Sequence, residues 1–233
     1  MAVLPEHRGG RYFSLSVLGG TTFLGGCTLS ILAPFYSKEA ESHGLSVTAS
    51  GSVFAAVFLV QVICSPFLGK HIQRLGSTRM FVLGSLLSGL TNLVFGFLPL
   101  IQSGELFLLT CLAVRSLTAV GEAAMSVSVY PLARGRCSST AQSRVVSSLE
   151  TMFGAGTTLG PFLGGLLYYA GGFPLPFATC GCLLLGCSAL ARCALATDLP
   201  PEPGETRGEE EAGHPTSYRG EIQHEIQSTQ RHN

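Results

Sequence analysis

Three ionisable side chains, Arg115, Glu122 and Glu150, fall inside stretches of sequence that are otherwise apolar. A charge at the centre of a hydrocarbon layer costs about 2.5 to 3.5 kcal/mol on insertion scales, so such groups are expected to face a cavity or a partner. Arg115 and Glu122 are seven residues apart, which places them about two turns along one helical face. A substrate path is the default reading of that pair. A structural pairing of Arg115 with Glu150 or with a backbone carbonyl stands beside it. Glu150 lies about five residues inside its apolar stretch, roughly 8 Å from the end at 1.5 Å per residue. A carboxylate at that depth can load and release a proton or bind a cation; a side chain snorkelling to the membrane edge is the alternative.

Other chemistry is scarce. Of the eight cysteines, Cys27, Cys64, Cys111, Cys180, Cys182, Cys187 and Cys193 lie in or at the ends of apolar stretches, where they act as small apolar residues. Cys180 and Cys182 on one helix point to nearly opposite sides, and no histidine is near them in the sequence, so no metal site is expected. No nucleophile–base constellation or phosphate loop occurs outside the apolar stretches. That pattern argues against an enzyme, and neither a cofactor nor a nucleic-acid partner is expected.

The elements that must position these groups follow from composition. The chain has 233 residues, 46% hydrophobic and 12% charged, against roughly 25% charged in ordinary soluble domains. Apolar segments at about 13–35, 47–68, 80–100, 106–132, 145–170 and 173–196 each approach or exceed the roughly 20 residues that cross a hydrocarbon core. The expected fold is an all-α membrane protein of six transmembrane helices, with the lipid bilayer as its surroundings. The first segment follows a polar stretch, residues 1–12. It exceeds a signal-peptide core of about 7 to 15 residues, lacks an Ala-x-Ala site and leads into further spans, so a retained helix is expected. Arg8, Arg11, Lys70, Arg74, Arg79, Arg134, Arg136 and Arg144 flank the spans on one side, with Lys38 alone on the other. By the positive-inside rule both termini are cytoplasmic and the loop 36–46 faces the lumen or exterior. Tyr12, Tyr36, Tyr130, Tyr168 and Tyr169 fall near span ends, where an amphipathic ring favours the interface.

In the fifth span Gly156, Gly160 and Gly164 recur every four residues, a smooth stripe against which another helix backbone can lie closely. Pro161 removes a hydrogen bond and is expected to bend that helix. A packing face for assembly alone would explain the glycines.

With Pro161 and Gly165 the string resembles the antiporter-associated motif of the fifth span in major facilitator superfamily exchangers, where it implies a bent, closely packed helix that lets two halves rock without leaking. Gly69, Arg74, Gly76 and Arg79 resemble that superfamily's cytoplasmic signature between the second and third spans. Gln73 stands in place of its aspartate and Thr78 in place of one basic residue, a departure from a charge-relay gate; a tight basic turn that fixes topology explains the arginines as well. Arg115 and Gly121 are similar to the fourth-span arginine motif implicated in proton coupling, with Thr118 where an amide or acid is common. Leu32, Pro34, Glu39 and Glu41, together with Ser148 and Glu150, resemble the vesicular amine transporter branch, most of all its vesicular polyamine transporter-like members, over about 13–197. The resemblance implies one half of a major facilitator fold, built of two inverted three-helix repeats. It also implies proton-coupled antiport of organic cations such as polyamines or amines, in an intracellular vesicle membrane. The alternative is a non-transporting six-span protein that modulates a full-length relative.

Residues 198–233 hold eight acids against three arginines, four prolines and one aromatic, Tyr218, a composition expected to be a disordered tail. The superfamily pattern would continue there into six more spans, so a truncated product or an incomplete gene model is expected. With one bundle present, the face bearing Arg115 and Glu122 is expected to meet lipid unless a second copy or a full-length relative covers it.

Overall fold

The computed structural model describes residues 6–196. The described residues form seven α-helices and no strand: α1 (Glu6–Ser30), α2 (Tyr36–Ser42), α3 (Val47–Leu75), α4 (Ser77–Gly96), α5 (Gly104–Arg134), α6 (Ser139–Gly171) and α7 (Pro174–Ala196), with a 3-10 turn at Leu98–Leu100. Helices α3, α4 with its 3-10 extension, α5 and α7 are long and apolar enough to cross a membrane. Helices α1 and α6, with 25 and 33 residues, have the length. Their glycines, serines and threonines dilute the apolar content, and those residues are what bring the two helices together.

Several boundaries differ from the sequence reading. The first span ends as a helix at Ser30, because Pro34 lacks an N–H and its ring would collide with the Ser30 carbonyl. After a run of turns the chain enters α2, a short helix where a loop was expected, with Tyr36 and Ala40 buried one turn apart. The segment 69–75, also expected as loop, is the last two turns of α3. The break is confined to Gly76, whose φ of 79° is a left-handed value that favours glycine, and α4 begins at the next residue. Helix α6 starts at Ser139 and runs unbroken through Pro161. The expected disorder of 198–233 lies outside the described residues.

The helices pair in a symmetrical set. Helix α1 packs on α6 and α3 on α5; α4 packs on α5 and α1 on α7; α4 meets α7, and α1 meets α5. Exchanging α1, α3 and α4 with α5, α6 and α7 carries this set onto itself, as two three-helix repeats about an in-plane pseudo-two-fold axis should. Each repeat has an odd number of crossings, so the second is inverted relative to the first. The α5/α6 contact has no comparable partner between α1 and α3, and it is there that the site lies.

Close approach is built on glycine. A Cβ on Gly156 would fall on the Phe23 carbonyl oxygen, one on Gly160 on Ser30 Oγ with the Cys27 oxygen at 3.0 Å, and one on Gly164 would lie 3.0 Å from the Ile31 oxygen. All three are buried, Gly156 and Gly160 against α1 and Gly164 against the turn that follows it, whereas Gly165 has open space beyond it. Helix α4 uses the same device twice, crossing α5 where Gly84 meets the Gly121 oxygen and α7 where Gly181 meets the Gly89 oxygen.

Two apolar clusters fill the interior. One gathers Phe35, Tyr36, Phe95, Phe107, Phe173 and Phe177; the other centres on Leu18, Phe81, Met125 and Leu184. Tyr36, expected at the interface, is wholly buried among Phe54, Phe95 and Phe107, while Tyr12 and Tyr169 are exposed. Cys180 is buried and Cys182 exposed, on opposite faces of α7.

Candidate functional site

Helix α5 carries both buried charges, and they have different surroundings. Arg115 is 2% exposed. Its guanidinium carbon lies 4.6 Å from the centre of the Phe95 ring and 5.6 Å from that of Phe177, and Nη1 donates to the Thr28 carbonyl at 3.5 Å. Among the described residues, Nε and Nη2 find no hydrogen-bond partner. Arg115 is therefore clamped among α1, α4 and α7, where a desolvated cation–π contact is worth about 2 kcal/mol. Of the partners open to it in the sequence, the structure gives it a backbone carbonyl; Glu150 bonds elsewhere.

Glu122 is 5% exposed, and its Oε1 has no hydrogen-bond partner among the described residues. The face bearing Arg115 and Glu122 was expected to need a second subunit. The structure corrects this: the chain's own helices cover both side chains. What remains open beside Glu122 is a cavity of about 110 Å³ bounded by α1, α3, α4, α5 and α6.

Glu150 lines the same cavity from α6. It lies eleven residues into α6, about 16 Å along the axis, because α6 begins earlier than the apolar stretch does. The side chain is exposed, and its Oε1 accepts a hydrogen bond from the Tyr130 hydroxyl. Gln61 of α3 adds an amide, and Phe81, Met125, Val129 and Phe153 supply apolar wall. Among the described residues, no lysine or arginine lines the cavity. Two carboxylates and aromatic surface, with Arg115 outside the lining though within electrostatic reach of Glu122, form a place where an ammonium group on a short apolar stem gains both electrostatic and ring contacts.

Of the three charged residues singled out in the sequence, the structure brings Glu122 and Glu150 to one cavity and sets Arg115 apart in the aromatic cluster. Gly69, Arg74, Gly76 and Arg79 lie at the α3–α4 junction and do not line the cavity; Arg74 and Arg79 are exposed. Gln61 and Tyr130 were missed. Gln61 is a lone amide in the second apolar stretch, and that was its only signal. Tyr130 was read as an interface ring, because nothing in its neighbourhood along the chain discloses Glu150 twenty residues away.

The profile of the Major Facilitator Superfamily matches residues 18–227. The MFS-type transporter SLC18B1 of Rattus norvegicus is 38% identical over 173 residues, covering 73% of this chain and 38% of the rat protein. The Homo sapiens protein of that name is 39% identical over 157 residues, 67% of this chain and 34% of its own. The probable vesicular acetylcholine transporter-B of Danio rerio is 28% identical over 166 residues, 71% of this chain and 31% of its own. The chain spans about a third of the length of these curated relatives.

Proposed function

The chain belongs to the major facilitator superfamily, and from that premise we propose that it is a transporter unit exchanging organic cations, polyamines or amines, for protons across a vesicle membrane. The observation that carries this reading is that Glu122 and Glu150 line one cavity whose described lining includes no lysine or arginine, Arg115 lying outside the lining though within electrostatic reach of Glu122. A carboxylate can hold a proton or an ammonium group, and holding one disfavours the other. Two carboxylates at one cavity therefore provide the competition that antiport requires. The apolar wall would hold the substrate's methylene or ring portion. The vesicular relative supports the choice of membrane. Both termini are assigned to the cytoplasm on the basic residues of the α3–α4 and α5–α6 junctions, of which Lys70, Arg74, Arg79, Arg134 and Arg144 are exposed.

The test is proton release. When spermidine is added to the purified chain in weakly buffered detergent solution, binding should release protons, and Glu122→Gln and Glu150→Gln should each reduce both the binding and the release. Absence of spermidine binding, or binding indifferent to both substitutions, overturns the assignment.

A second reading, a non-transporting six-span protein that associates with a full-length relative or with itself, is favoured by the burial of Arg115 and Glu122 within the chain's own helices. A bundle that covers its own charges can stand in a membrane as a separate body. Spermidine uptake by proteoliposomes under a pH gradient separates the two readings.

A further inference from the structure

The cavity lies between two tightly packed helix pairs, α1 with α6 and α3 with α5. One side-chain hydrogen bond, from the Tyr130 hydroxyl to Glu150 Oε1, joins α5 to α6 across it. Glu150 is exposed, so packing does not fix its side chain, whereas the Tyr130 ring is partly covered and Val129 beside it is buried. A carboxylate on an otherwise free side chain must be ordered before it can bind a cation, and that ordering weakens binding. A hydroxyl already bonded to one oxygen removes most of the loss and leaves the other oxygen for the ligand.

From this geometry we propose that Tyr130 is the positioning residue of the site, holding Glu150 at the cavity by one oxygen while the second receives the ammonium group of an organic cation. The proposal rests on the reading of the cavity as a cation site. Glu122 needs no such device, since its burial between helices fixes it. The two carboxylates are therefore unlike: Glu122 is a fixed inner acid, and Glu150 an outer acid whose placement depends on a neighbour.

The experiment uses the whole chain in lipid nanodiscs, with two measurements. In equilibrium binding of labelled spermidine, Tyr130→Phe is expected to weaken affinity about tenfold, the effect of one charge-assisted hydrogen bond. The same substitution in a Glu150→Gln background should add nothing further, because Tyr130 acts only through the carboxylate. In the second measurement the chain is treated with a hydrophobic carbodiimide and the modified peptides are quantified by mass spectrometry. Glu150 should react several-fold faster in Tyr130→Phe, with Glu122 unchanged. An equal loss of affinity in both backgrounds would assign Tyr130 to packing and overturn the proposal. So would unchanged Glu150 reactivity in Tyr130→Phe. If wild-type chain binds no spermidine but the carbodiimide difference is found, the cation reading fails and the positioning of Glu150 by Tyr130 stands.

Discussion

Among the buried charges, Glu122 is the one whose surroundings ask for a ligand. Arg115 has aromatic faces and a carbonyl around it, whereas Glu122 lines the cavity and its buried Oε1 has no hydrogen-bond partner among the described residues. A buried carboxylate is unfavourable without charge compensation, and a cation in the cavity that Glu122 lines adds to what Arg115 supplies. Glu122→Gln keeps the shape and removes the charge. It should weaken organic-cation binding by about 2 kcal/mol or more, roughly thirtyfold, as read by equilibrium binding on the purified chain; an unchanged affinity would remove Glu122 from the site. That both residues are buried ions was legible from the sequence, because a charge in an apolar stretch has few other places to go. Their division into clamp and site was not, since Thr28, Phe95 and Phe177, which hold Arg115, come from three other helices. The partnership of Glu150 with Tyr130 was illegible for the same reason.

The fifth-span glycine stripe could be read in advance because its period of four is a property of one helix alone. Which helix it faces could not, and the answer is α1, through Phe23, Cys27 and Ser30, with Ile31 of the turn beyond it. The prediction that follows compares two glycines five residues apart. A Cβ at Gly160 would already fall on Ser30 Oγ and crowd the backbone of Cys27, whereas a Cβ at Gly165 meets nothing within 4 Å. Gly160→Leu should destabilise the bundle by about 1–3 kcal/mol or more through overpacking, and Gly165→Leu should leave it near wild type. Thermal unfolding in detergent can be followed with a thiol-reactive dye, because Cys27, Cys111 and Cys180 are buried until the helices separate. Equal midpoints for the two variants would show that the stripe does not hold α6 to α1. The junction at 69–79 misled for a physical reason: Lys70, Gln73 and Arg74 are polar enough to end an apolar span, but polarity does not end a helix. Only Gly76, with its left-handed φ, does that.

For the whole molecule, the basic residues at one end and the single lysine Lys38 at the other give a testable orientation. Ser42, exposed at the end of α2, and Cys137, in the turn between α5 and α6, belong to opposite ends of the bundle. In sealed vesicles with the cytoplasmic face outward, an impermeant maleimide should label Cys137 at once and a Ser42→Cys thiol only after permeabilisation; the reverse order would invert the topology. The all-α fold class was legible at this scale, because six apolar stretches are additive along a chain; the two three-helix repeats were implied only by the family resemblance. The enclosure of Arg115 and Glu122 was not, because it depends on how helices from both repeats close around α5. That enclosure changes why a second bundle should be needed. The charges do not require covering, so lipid exposure of Arg115 and Glu122 gives no drive to pair. The requirement comes from motion instead. Alternating access in this architecture rocks one bundle against another around a site held between them, whereas here the cavity lies inside one bundle, with glycine crossings joining α1 to α6 and α4 to α5 and α7. The chain as a demonstrated monomer should therefore bind spermidine yet fail to accumulate it in liposomes under a pH gradient, and uptake should appear only when a second copy or a full-length relative is present. Proton-dependent uptake by a preparation shown by mass photometry to be monomeric would overturn this, and would require α1 and α6 to separate from α3 and α5 across the Tyr130–Glu150 bond.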